Sequence, residues 1–423
     1  MKILLVYPPF CTPASPPYSL TNLHSKLNAE VLDLNLEFHK LKFKKYKKYY
    51  HGDLKNYNEV TEEYNKLTKQ TYSKNNKLIL NNEKPEFFNE LLKLIKEKKA
   101  DIVAFSVVYS SQTFYTYALM KELKNTAVGG PAVNKQLLDL ANKTLNLSHE
   151  EKPLDFTIYK QEYFTPKPVI PIKSSSTCFY QQCTFCTHHT NQPYQEYDLD
   201  IIKETIIKSK QKYFFFIDDM IPTKRLLEIA EMLKPLNVKW TCQLRPTKDL
   251  TYPVLKTLKE SGLTFIMWGV ESANNRILKL INKGTNKEDI KEVLKNSYRA
   301  KIKNMTYIIF GFPTETKEEF LETINFLKDN EKYIDLISTS IFGLQKGTKI
   351  YNNPEKYNII IKEQKRTLLE PKLSYEVKQG LSQKQAKELR NKYKKTIEQI
   401  NKYPKTMNFF REHMLVSIKD RKL

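Results

Sequence analysis

Three of the five cysteines in this chain lie within one nine-residue stretch, at Cys178, Cys183 and Cys186. A loop that curls these thiols around one point can supply three thiolates to three irons of a [4Fe–4S] cluster and leave the fourth iron open. Clusters that serve electron transfer are commonly held by four cysteines. An open iron can bind a substrate or cosubstrate, so the spacing favours a catalytic cluster.

Two other interpretations of the loop stay open at this point. Zinc prefers four nitrogen or sulfur ligands, and His188 or His189 can complete such a set. The clustering of the cysteines is also compatible with chance. The two remaining cysteines, Cys11 and Cys242, are predicted to be plain thiols.

The composition is that of an ordinary globular enzyme. The 423 residues, 40% of them hydrophobic, allow two or three domains with cores of their own. The apolar run from Ile3 to Tyr7 ends at Pro8-Pro9 and is too short for a signal peptide, and no stretch resembles a membrane span. We therefore expect a cytoplasmic protein whose few cysteines do not form a disulfide framework.

The net charge of +23 raises the question of an anionic partner. The densest basic patch, residues 42–48, interleaves lysines with aromatic residues, as single-strand binders do. The lysine excess is nevertheless spread over the whole chain. We therefore favour an amphipathic, solvated helix for this patch, and nucleic acid is the less favoured partner.

Strands alternate with helical patterns in two series, which predicts an α/β protein with parallel sheets. Residues 1–150 are expected to form a doubly wound sheet with a helical insertion at about 36–98, followed by a linker at 151–168. Residues 169–350 contain six βα-like units, a partial (β/α)6 barrel. Residues 351–423 form a helical C-terminal extension, in which Ser382 and Gln385 open one long helix through a capping box.

Polar or conformationally special residues follow the predicted barrel strands. In β/α barrels the active site is built at the carboxyl ends of the strands, so these residues should converge with the cysteine loop. This convergence favours the cluster over zinc. The residues concerned are Asp218, Asp219, Arg245, Glu271, Gly311 and Pro313.

Together these motifs resemble the radical S-adenosylmethionine (radical SAM) enzymes, in particular those with an N-terminal cobalamin-binding-type domain. The resemblance covers about residues 1–350. Its four-residue first cysteine gap, where most of the superfamily has three, is similar to a peptide-maturase-like subgroup. Besides the cysteine loop it rests on Val128-Gly-Gly-Pro131, Gly269-Val-Glu-Ser272, Lys283-Gly284 and Gly311-Phe-Pro-Thr-Glu-Thr316.

The resemblance implies a role for each matching residue. The three cysteines would hold the cluster, whose open iron would chelate the methionine end of SAM. The remaining roles are Phe185, Gly311 and Pro313 near the adenine, Asp218 or Asp219 at the methionine amine, Arg245 at the SAM carboxylate, and Glu271 at the ribose or amine.

The implied reaction is reductive cleavage of SAM to a 5′-deoxyadenosyl radical, for C–H functionalisation or methylation of an unknown small molecule or peptide. A flavodoxin or ferredoxin would supply the electron. Cobalamin is a candidate further cofactor, although the Asp-x-His-x-x-Gly motif of many cobalamin domains is missing from the sequence. An RNA-modifying radical SAM enzyme and a zinc-stabilised binding protein are the alternatives.

Overall fold

The computed structural model describes residues 1–147, 150–187 and 193–418. The chain divides into two compact units. The first unit contains Met1–Pro171, Asp200–Gln211 and Lys365–Pro371, and the second contains Ile172–Leu199, Lys212–Gln364 and Lys372–Leu423. None of the helices in the described ranges is long and apolar enough to cross a membrane.

The first unit is built on a four-stranded parallel sheet. Its strands are β1 (Ile3–Tyr7), β2 (Glu30–Asp33), β3 (Ile102–Ser106) and β4 (Thr126–Gly129), in the spatial order β2-β1-β3-β4. Helical crossovers make the sheet parallel, as the alternating pattern predicts. The helices are α1 (Tyr18–Leu27), α2 (Leu34–Lys42), α3 (Lys44–Tyr50), α4 (Tyr57–Leu80), α5 (Phe88–Glu97), α6 (Thr113–Met120), α7 (Lys135–Leu140) and α8 (Leu199–Ser209).

The basic patch at residues 42–48 lies mainly on helix α3, within the insertion formed by α2 to α5. The aromatic rings of Phe43, Tyr46 and Tyr50 point into the core and are at most 3% exposed. They are therefore unavailable to stack on nucleic-acid bases, and the patch is an amphipathic surface. Three of its lysines form ion pairs, namely Lys42 with Glu86, Lys45 with Glu63 and Lys47 with Glu162.

The second unit is built on a six-stranded sheet in the order β10-β9-β8-β7-β6-β5. Strands β6 to β10 run parallel, which agrees with a partial barrel. The strands are β5 (Val169–Ile172), β6 (Tyr213–Phe216), β7 (Lys239–Leu244), β8 (Leu263–Glu271), β9 (Lys303–Phe310) and β10 (Leu336–Ile341). Its helices begin with α9 (Thr223–Leu233), α10 (Tyr252–Glu260), α11 (Asn275–Ile281), α12 (Lys287–Arg299), α13 (Lys317–Asp329) and α14 (Lys349–Asn352).

The C-terminal extension differs from the sequence prediction in two details. A two-stranded antiparallel hairpin, β11 (Ile359–Gln364) and β12 (Lys372–Val377), precedes the helices. The capping box at Ser382 and Gln385 is present, but the expected single helix is wrong. The helical backbone is interrupted at Tyr393 (φ −91°, ψ 6°), after which the chain packs against α13 and β10. The helices are α15 (Gln383–Lys392), α16 (Lys394–Ile400) and α17 (Arg411–Ser417).

Candidate active site

The three clustered cysteines follow strand β5, at its carboxyl end, and all three are partly buried. The loop is anchored on the C-terminal end of helix α11. The Thr184 amide donates to the Ile281 carbonyl at 2.9 Å, and the Tyr180 hydroxyl donates to the Asn282 carbonyl at 2.9 Å. On the other side, the Ile350 amide of α14 donates to the Thr184 carbonyl at 3.2 Å. The positions of the thiols are therefore fixed from two sides.

Asp218 holds the segment that leads into the cysteine loop through hydrogen bonds to Ser174 and Ser175. Its buried carboxylate accepts hydrogen bonds from the Ser174 amide at 2.9 and 3.0 Å, the Ser174 hydroxyl at 3.0 Å and the Ser175 hydroxyl at 2.8 Å. Burial raises the pKa of Asp218, and these hydrogen bonds oppose the rise. The neighbouring Asp219 is partly exposed. Of the two predicted acidic residues, Asp218 is thus occupied with the protein itself.

Glu271 and Lys283 form a buried ion pair beside the cysteine loop. The Lys283 ammonium lies 2.8 Å from a Glu271 carboxylate oxygen, and the two side chains are 10% and 9% exposed. Burial lowers the pKa of Lys283, but the charges of Glu271 and Cys183 outweigh it and hold that pKa above its ordinary value. The Lys283 side chain therefore stays charged.

The backbone of strand β8 is distorted to make room for this pair. The pairing of β8 with β9 shifts register between Gly269 and Glu271, and Glu271 has a left-handed backbone with φ 64°. A Cβ atom on Gly269 would lie 2.8 Å from the Lys283 ammonium and 2.9 Å from the Glu271 carboxylate. A side chain at this glycine would therefore displace both charged groups of the ion pair from their present positions.

Arg245 stacks on the cysteine loop from the other side. Its guanidinium lies 3.5 Å from the centre of the Tyr180 ring and donates to the Lys283 carbonyl at 3.0 Å. Gly284 has φ +67°, and a Cβ there would lie 2.4 Å from the Tyr180 hydroxyl and 2.8 Å from the guanidinium. In the Lys283-Gly284 motif, Lys283 is therefore a buried cation, and the missing side chain of Gly284 leaves space for the guanidinium of Arg245.

Both cations act on Cys183. Burial raises the pKa of this thiol, and the positive charges of Lys283 and Arg245 oppose the rise. Positive charges beside a cysteine favour the thiolate, which is the form that binds metal. The pKa of Cys183 nevertheless stays above its ordinary value, so the two cations offset the effect of its burial only in part.

The sequence predicts that Gly311 and Pro313 approach a ligand, and in the structure this turn is surrounded by other parts of the protein. Both residues are buried. A Cβ on Gly311 would lie 2.7 Å from the Cβ of Ala386 on helix α15, and the Tyr375 hydroxyl of β12 donates to the Gly311 carbonyl at 3.3 Å. The C-terminal extension thus packs directly on this turn, and the glycine is required by that packing.

Residues 172–327 match the radical SAM superfamily. This chain carries a radical SAM domain. Domains of this superfamily bind a [4Fe–4S] cluster and SAM, and the cysteine loop, the ion pair and Arg245 all lie within the matched residues.

The proteins that resemble the chain include one methyltransferase among its curated relatives and two solved structures. Over 173 residues it is 28% identical to the bacteriochlorophyllide d C-12(1)-methyltransferase of Chlorobaculum tepidum, and the match covers 38% of each protein. The cobalamin-dependent SAM radical enzyme OxsB aligns with a TM-score of 0.52 and 15% identity, over 84% of this chain and 55% of that one. The radical SAM methyltransferase TsrM from Kitasatospora setae, solved with cobalamin and a [4Fe–4S] cluster, aligns with a TM-score of 0.51 and 14% identity, over 88% of this chain and 83% of that one.

These likenesses differ in what they establish. The sequence match spans well under half of the curated relative. At 14 and 15% identity, the two structural likenesses concern the fold. They agree with the predicted order of an N-terminal parallel α/β sheet, a radical SAM barrel and a C-terminal extension.

Cysteine thiolates are the ligands that hold iron–sulfur clusters, and the radical SAM domain offers three of them on one loop. Among residues 1–147, 150–187 and 193–418, no three His, Cys, Asp or Glu side chains lie close enough together to bind one metal ion. Three thiolates of a cubane bind three different irons, so they are farther apart than the ligands of a single ion. His188 and His189, the zinc ligands considered above, lie outside the described residues.

Further polar side chains lie on the concave face of the barrel sheet, where the sequence carried no motif. Tyr307 of β9 is paired with Gly269, so both face the same side as the Glu271–Lys283 pair. Arg411 of helix α17 donates to the Tyr307 hydroxyl at 3.1 Å and lies 5.9 Å from the Phe215 ring centre. The charge of Glu271 raises the pKa of Tyr307, whereas Arg411 lowers it; burial is the largest cause and the net shift is upward.

The C-terminal helix was missed as part of the site because nothing in its sequence is chemically distinctive. A hydrophobic helix that is distant in sequence from the motifs is ordinarily interpreted as an element that only packs against the core. Only the alternation of side chains along β9 could have indicated that Tyr307 faces the barrel interior.

Proposed function

We propose that this protein is a radical SAM enzyme that cleaves SAM reductively and functionalises or methylates a C–H position of a small molecule or peptide. One observation carries the proposal. Three partly buried thiols, on a loop at the carboxyl end of the first barrel strand, lie next to a buried lysine and a stacked arginine. A cluster held by these thiols would supply one electron to SAM, which splits it into methionine and a 5′-deoxyadenosyl radical.

The surrounding residues would bind and orient SAM. Arg245 would meet its carboxylate, because the guanidinium lies against the ring of Tyr180 in the cysteine loop. Asp218 or Asp219 would contact the methionine amine, and the Asp218 carboxylate already accepts hydrogen bonds from Ser174 and Ser175. Phe185 packs against an apolar cluster of the barrel and would lie near the adenine.

Glu271 would reach the ribose or amine of SAM from its place beside Lys283. Its carboxylate has two oxygens, and the ion pair with Lys283 uses one of them. The second oxygen can therefore accept from SAM while the ion pair persists. We retain Gly311 and Pro313 as backbone contacts to the adenine, with their conformation set by the packing of α15.

The test is anaerobic reconstitution of the whole chain with iron and sulfide. We expect a brown protein with about four irons per chain, which forms 5′-deoxyadenosine when dithionite and SAM are added. Cys183→Ala should lose both properties. Cys11→Ala, which removes a thiol of the first unit, should keep them. A colourless, iron-free wild type, or one zinc per chain without SAM binding, would contradict the proposal.

We further propose that the first unit binds cobalamin without a histidine ligand to cobalt. The fold likeness to OxsB and TsrM supports this, since OxsB is cobalamin-dependent and TsrM was solved with cobalamin bound. At the carboxyl edge of the first sheet, Gln112 donates to the Pro8 carbonyl at 2.8 Å and accepts from the amides of Val108 and Tyr109. The neighbouring Gly129 is exposed, and apart from its two chain neighbours none of the described residues has an atom within 4 Å of where its Cβ would be.

This edge therefore combines a braced backbone with open space, as a large planar ligand requires. Of the two histidines in the insertion, His39 is buried and bonds to the Tyr64 hydroxyl at 2.8 Å, and His51 bonds to the Tyr163 carbonyl at 2.8 Å. Burial lowers its pKa to about 3. It is thus part of the core and remote from any exposed ligand.

Absorption spectroscopy of protein purified without oxygen, with cobalamin supplied, tests this second proposal. We expect about one cobalamin per chain, by the fold likeness. Gly129→Leu should fill the open space and lower cobalamin content while leaving the iron content unchanged. Equal cobalamin retention in Gly129→Leu and wild type would count against this binding edge.

The reductant and the compartment follow from the proposed chemistry. A low-potential one-electron donor such as flavodoxin or ferredoxin would reduce the cluster, and a reducing cytoplasm would protect it. The substrate would lie on the concave face of the barrel, above Tyr307 and Arg411.

A further inference from the structure

A second surface that combines lysines with aromatic rings lies in the second unit, apart from the basic patch at residues 42–48. It is formed where helix α12 ends, just before strand β10 and just after helix α16. We call it the Tyr298 surface, and its members are Tyr298, Lys332, Tyr333 and Lys402.

Two cations of this surface are held at one exposed ring. Tyr298 is 40% exposed, and the ammonium groups of Lys332 and Lys402 lie 6.0 and 5.9 Å from its ring centre. The Tyr333 ring packs edge-to-face on Tyr298, with 5.5 Å between the ring centres. The Lys402 ammonium also donates to the Lys332 carbonyl at 2.8 Å. Like charges repel when they are held close together, and an anion bound between them relieves that repulsion.

The carboxylates of the protein leave these two charges unneutralised. Within the described part of the chain, neither Lys332 nor Lys402 forms an ion pair. Asp335, at the start of β10, is buried and is paired with Lys303 at 3.0 Å. The exposed acidic residue of this turn is Glu331.

The turn after Tyr298 adds to the positive charge. Arg299 and Lys301 are both exposed, and the Lys301 amide donates to the Tyr298 carbonyl at 3.0 Å. In the described ranges these two residues form no ion pair either. Four cations thus stand against one exposed carboxylate, which favours a ligand with several negative charges.

The exposed ring indicates which kind of anion this is. Proteins that bind single strands combine cations for the phosphates with aromatic side chains on which bases stack. The patch at residues 42–48 lacks this combination, because its rings are buried and three of its lysines are in ion pairs. The Tyr298 surface offers an exposed ring together with unpaired cations, so it favours single-stranded nucleic acid over an acidic protein.

We propose that the Tyr298 surface binds single-stranded nucleic acid, with a base on the Tyr298 ring and phosphates at Lys332 and Lys402. The surface lies at the amino ends of β9 and β10. Arg245, which stacks on the cysteine loop, follows the carboxyl end of the parallel strand β7. This binding is therefore an activity separate from the proposed radical chemistry. RNA and DNA strands share the chemistry, and the probes below distinguish them.

The first test is fluorescence anisotropy of the whole chain with a labelled single-stranded RNA of about 15 nucleotides. Tyr298→Ala should weaken binding by about 5- to 100-fold, the loss expected for one stacked base. Tyr298→Phe keeps the ring and should bind as the wild type does. Tyr109→Ala is the matched control, because Tyr109 is a 53% exposed tyrosine of the first unit, and it should leave the affinity unchanged.

The dependence on salt tests the two lysines. For a single strand, the logarithm of the affinity falls with the logarithm of the salt concentration by about 0.7 for each neutralised phosphate. Lys332→Ala/Lys402→Ala should therefore reduce this slope by about 1.4, whereas Lys332→Arg/Lys402→Arg should keep it. Lys48→Ala, at an exposed lysine of the first patch, should also keep the wild-type slope.

Two further probes decide between the ligands. Equal binding of a DNA strand of the same sequence supports a site for both kinds of strand, and weaker DNA binding assigns the surface to RNA. Heparin is a polyanion without bases. If the lysine variants weaken binding, Tyr298→Ala does not, and heparin competes as well as RNA, the surface attracts polyanions in general and the inference is overturned.

Two other results would overturn it as well. One is a wild type that binds neither strand at about 0.15 M salt. The other is an equal affinity and an equal salt slope in wild type, Tyr298→Ala and Lys332→Ala/Lys402→Ala. Cys183→Ala should bind RNA as the wild type does, so failure of the proposed radical chemistry and failure of this binding are separate outcomes.

Discussion

At the scale of single residues, the glycines of the radical SAM domain serve the polar side chains beside them. Gly269 makes room for the Lys283 ammonium, and Gly284 makes room for Tyr180 and Arg245. A glycine motif can bring a backbone close to a ligand, but here each missing Cβ is already accounted for within the protein. Sequence reasoning singled out these motifs, while the contact that explains each glycine appears only in three dimensions.

Gly284→Ala tests this explanation. Its Cβ would meet the Tyr180 hydroxyl and the guanidinium of Arg245, and its φ of +67° disfavours alanine. We expect a loss of about 1–3 kcal/mol in unfolding free energy and a lower iron content after reconstitution. Gly343→Ala is the control, because no atom lies within 4 Å of its Cβ position. Equal iron contents in the two variants would refute the packing role.

Glu315, in the turn after β9, links stability to pH. Burial raises the pKa of this carboxyl from 4.5 to about 8, although a hydrogen bond from the Gly311 amide at 2.5 Å opposes the shift. Between these two values the folded chain holds a proton that the unfolded chain releases. The contribution of the protonated Glu315 carboxyl to the free energy of unfolding is therefore complete below pH 4.5 and is lost as the pH rises toward 8.

The expected slope is at most about 1.4 kcal/mol per pH unit. Glu315→Gln should flatten this decline in urea unfolding measured across that window. Glu318→Gln, at an exposed carboxyl on the next helix, should keep the wild-type slope. Parallel curves for wild type and Glu315→Gln would show that Glu315 does not carry the proton.

At the scale of elements, strong periodicity made the sheets predictable and weak periodicity hid the hairpin. Every barrel strand was placed from its apolar run, because β8, for example, is buried along its whole length. Strand β11 carries Lys362, Glu363 and Gln364 in succession and is exposed over most of its second half. Its pairing with β12 depends on contacts across a loop, which the local sequence does not reveal.

The ion pair beside the cysteine loop shows a second limit of the same kind. Glu271 and Lys283 are separated by helix α11, and each belongs to a recognisable motif. Their contact depends on the irregular end of β8, where a non-glycine residue adopts φ 64°. Regular periodicity predicts no such distortion, so the sequence identified both residues without indicating that they meet.

Helix α3 gives an element-scale prediction about the basic patch. Tyr46→Ala should cost about 3–5 kcal/mol of unfolding free energy, because the ring is 2% exposed. Lys48→Ala, at an exposed lysine two residues further on, should change it by about 0.5 kcal/mol or less. RNA binding that survives moderate salt and falls in Lys48→Ala would revive the RNA-modifying alternative.

At the scale of the whole molecule, the end of the chain returns to complete the core of the barrel. Helix α17 packs against β6 and β7, which are distant in sequence. Phe410, Met414 and Leu415 are fully buried there. The same segment carries Arg411, so the integrity of the concave face depends on the last helix being docked.

Two adjacent phenylalanines, Phe410 and Phe409, allow the docking of helix α17 to be tested without removing the helix from the chain. Phe410 is fully buried, whereas Phe409 is 49% exposed. Phe410→Ala should lower the unfolding free energy of the second unit by about 3–5 kcal/mol, and Phe409→Ala should change it by about 0.5 kcal/mol or less.

Intrinsic fluorescence can follow this unit by itself. The chain has two tryptophans, Trp240 and Trp268, and both are fully buried in the second unit. In urea, the fluorescence transition of Phe410→Ala should therefore move to lower denaturant while that of Phe409→Ala stays with the wild type. Coincident transitions would mean that the barrel core is stable without a docked C-terminal helix. In that case the docked helix would not be what holds Arg411 against Tyr307. The proposed substrate site on the concave face could then not depend on this contact.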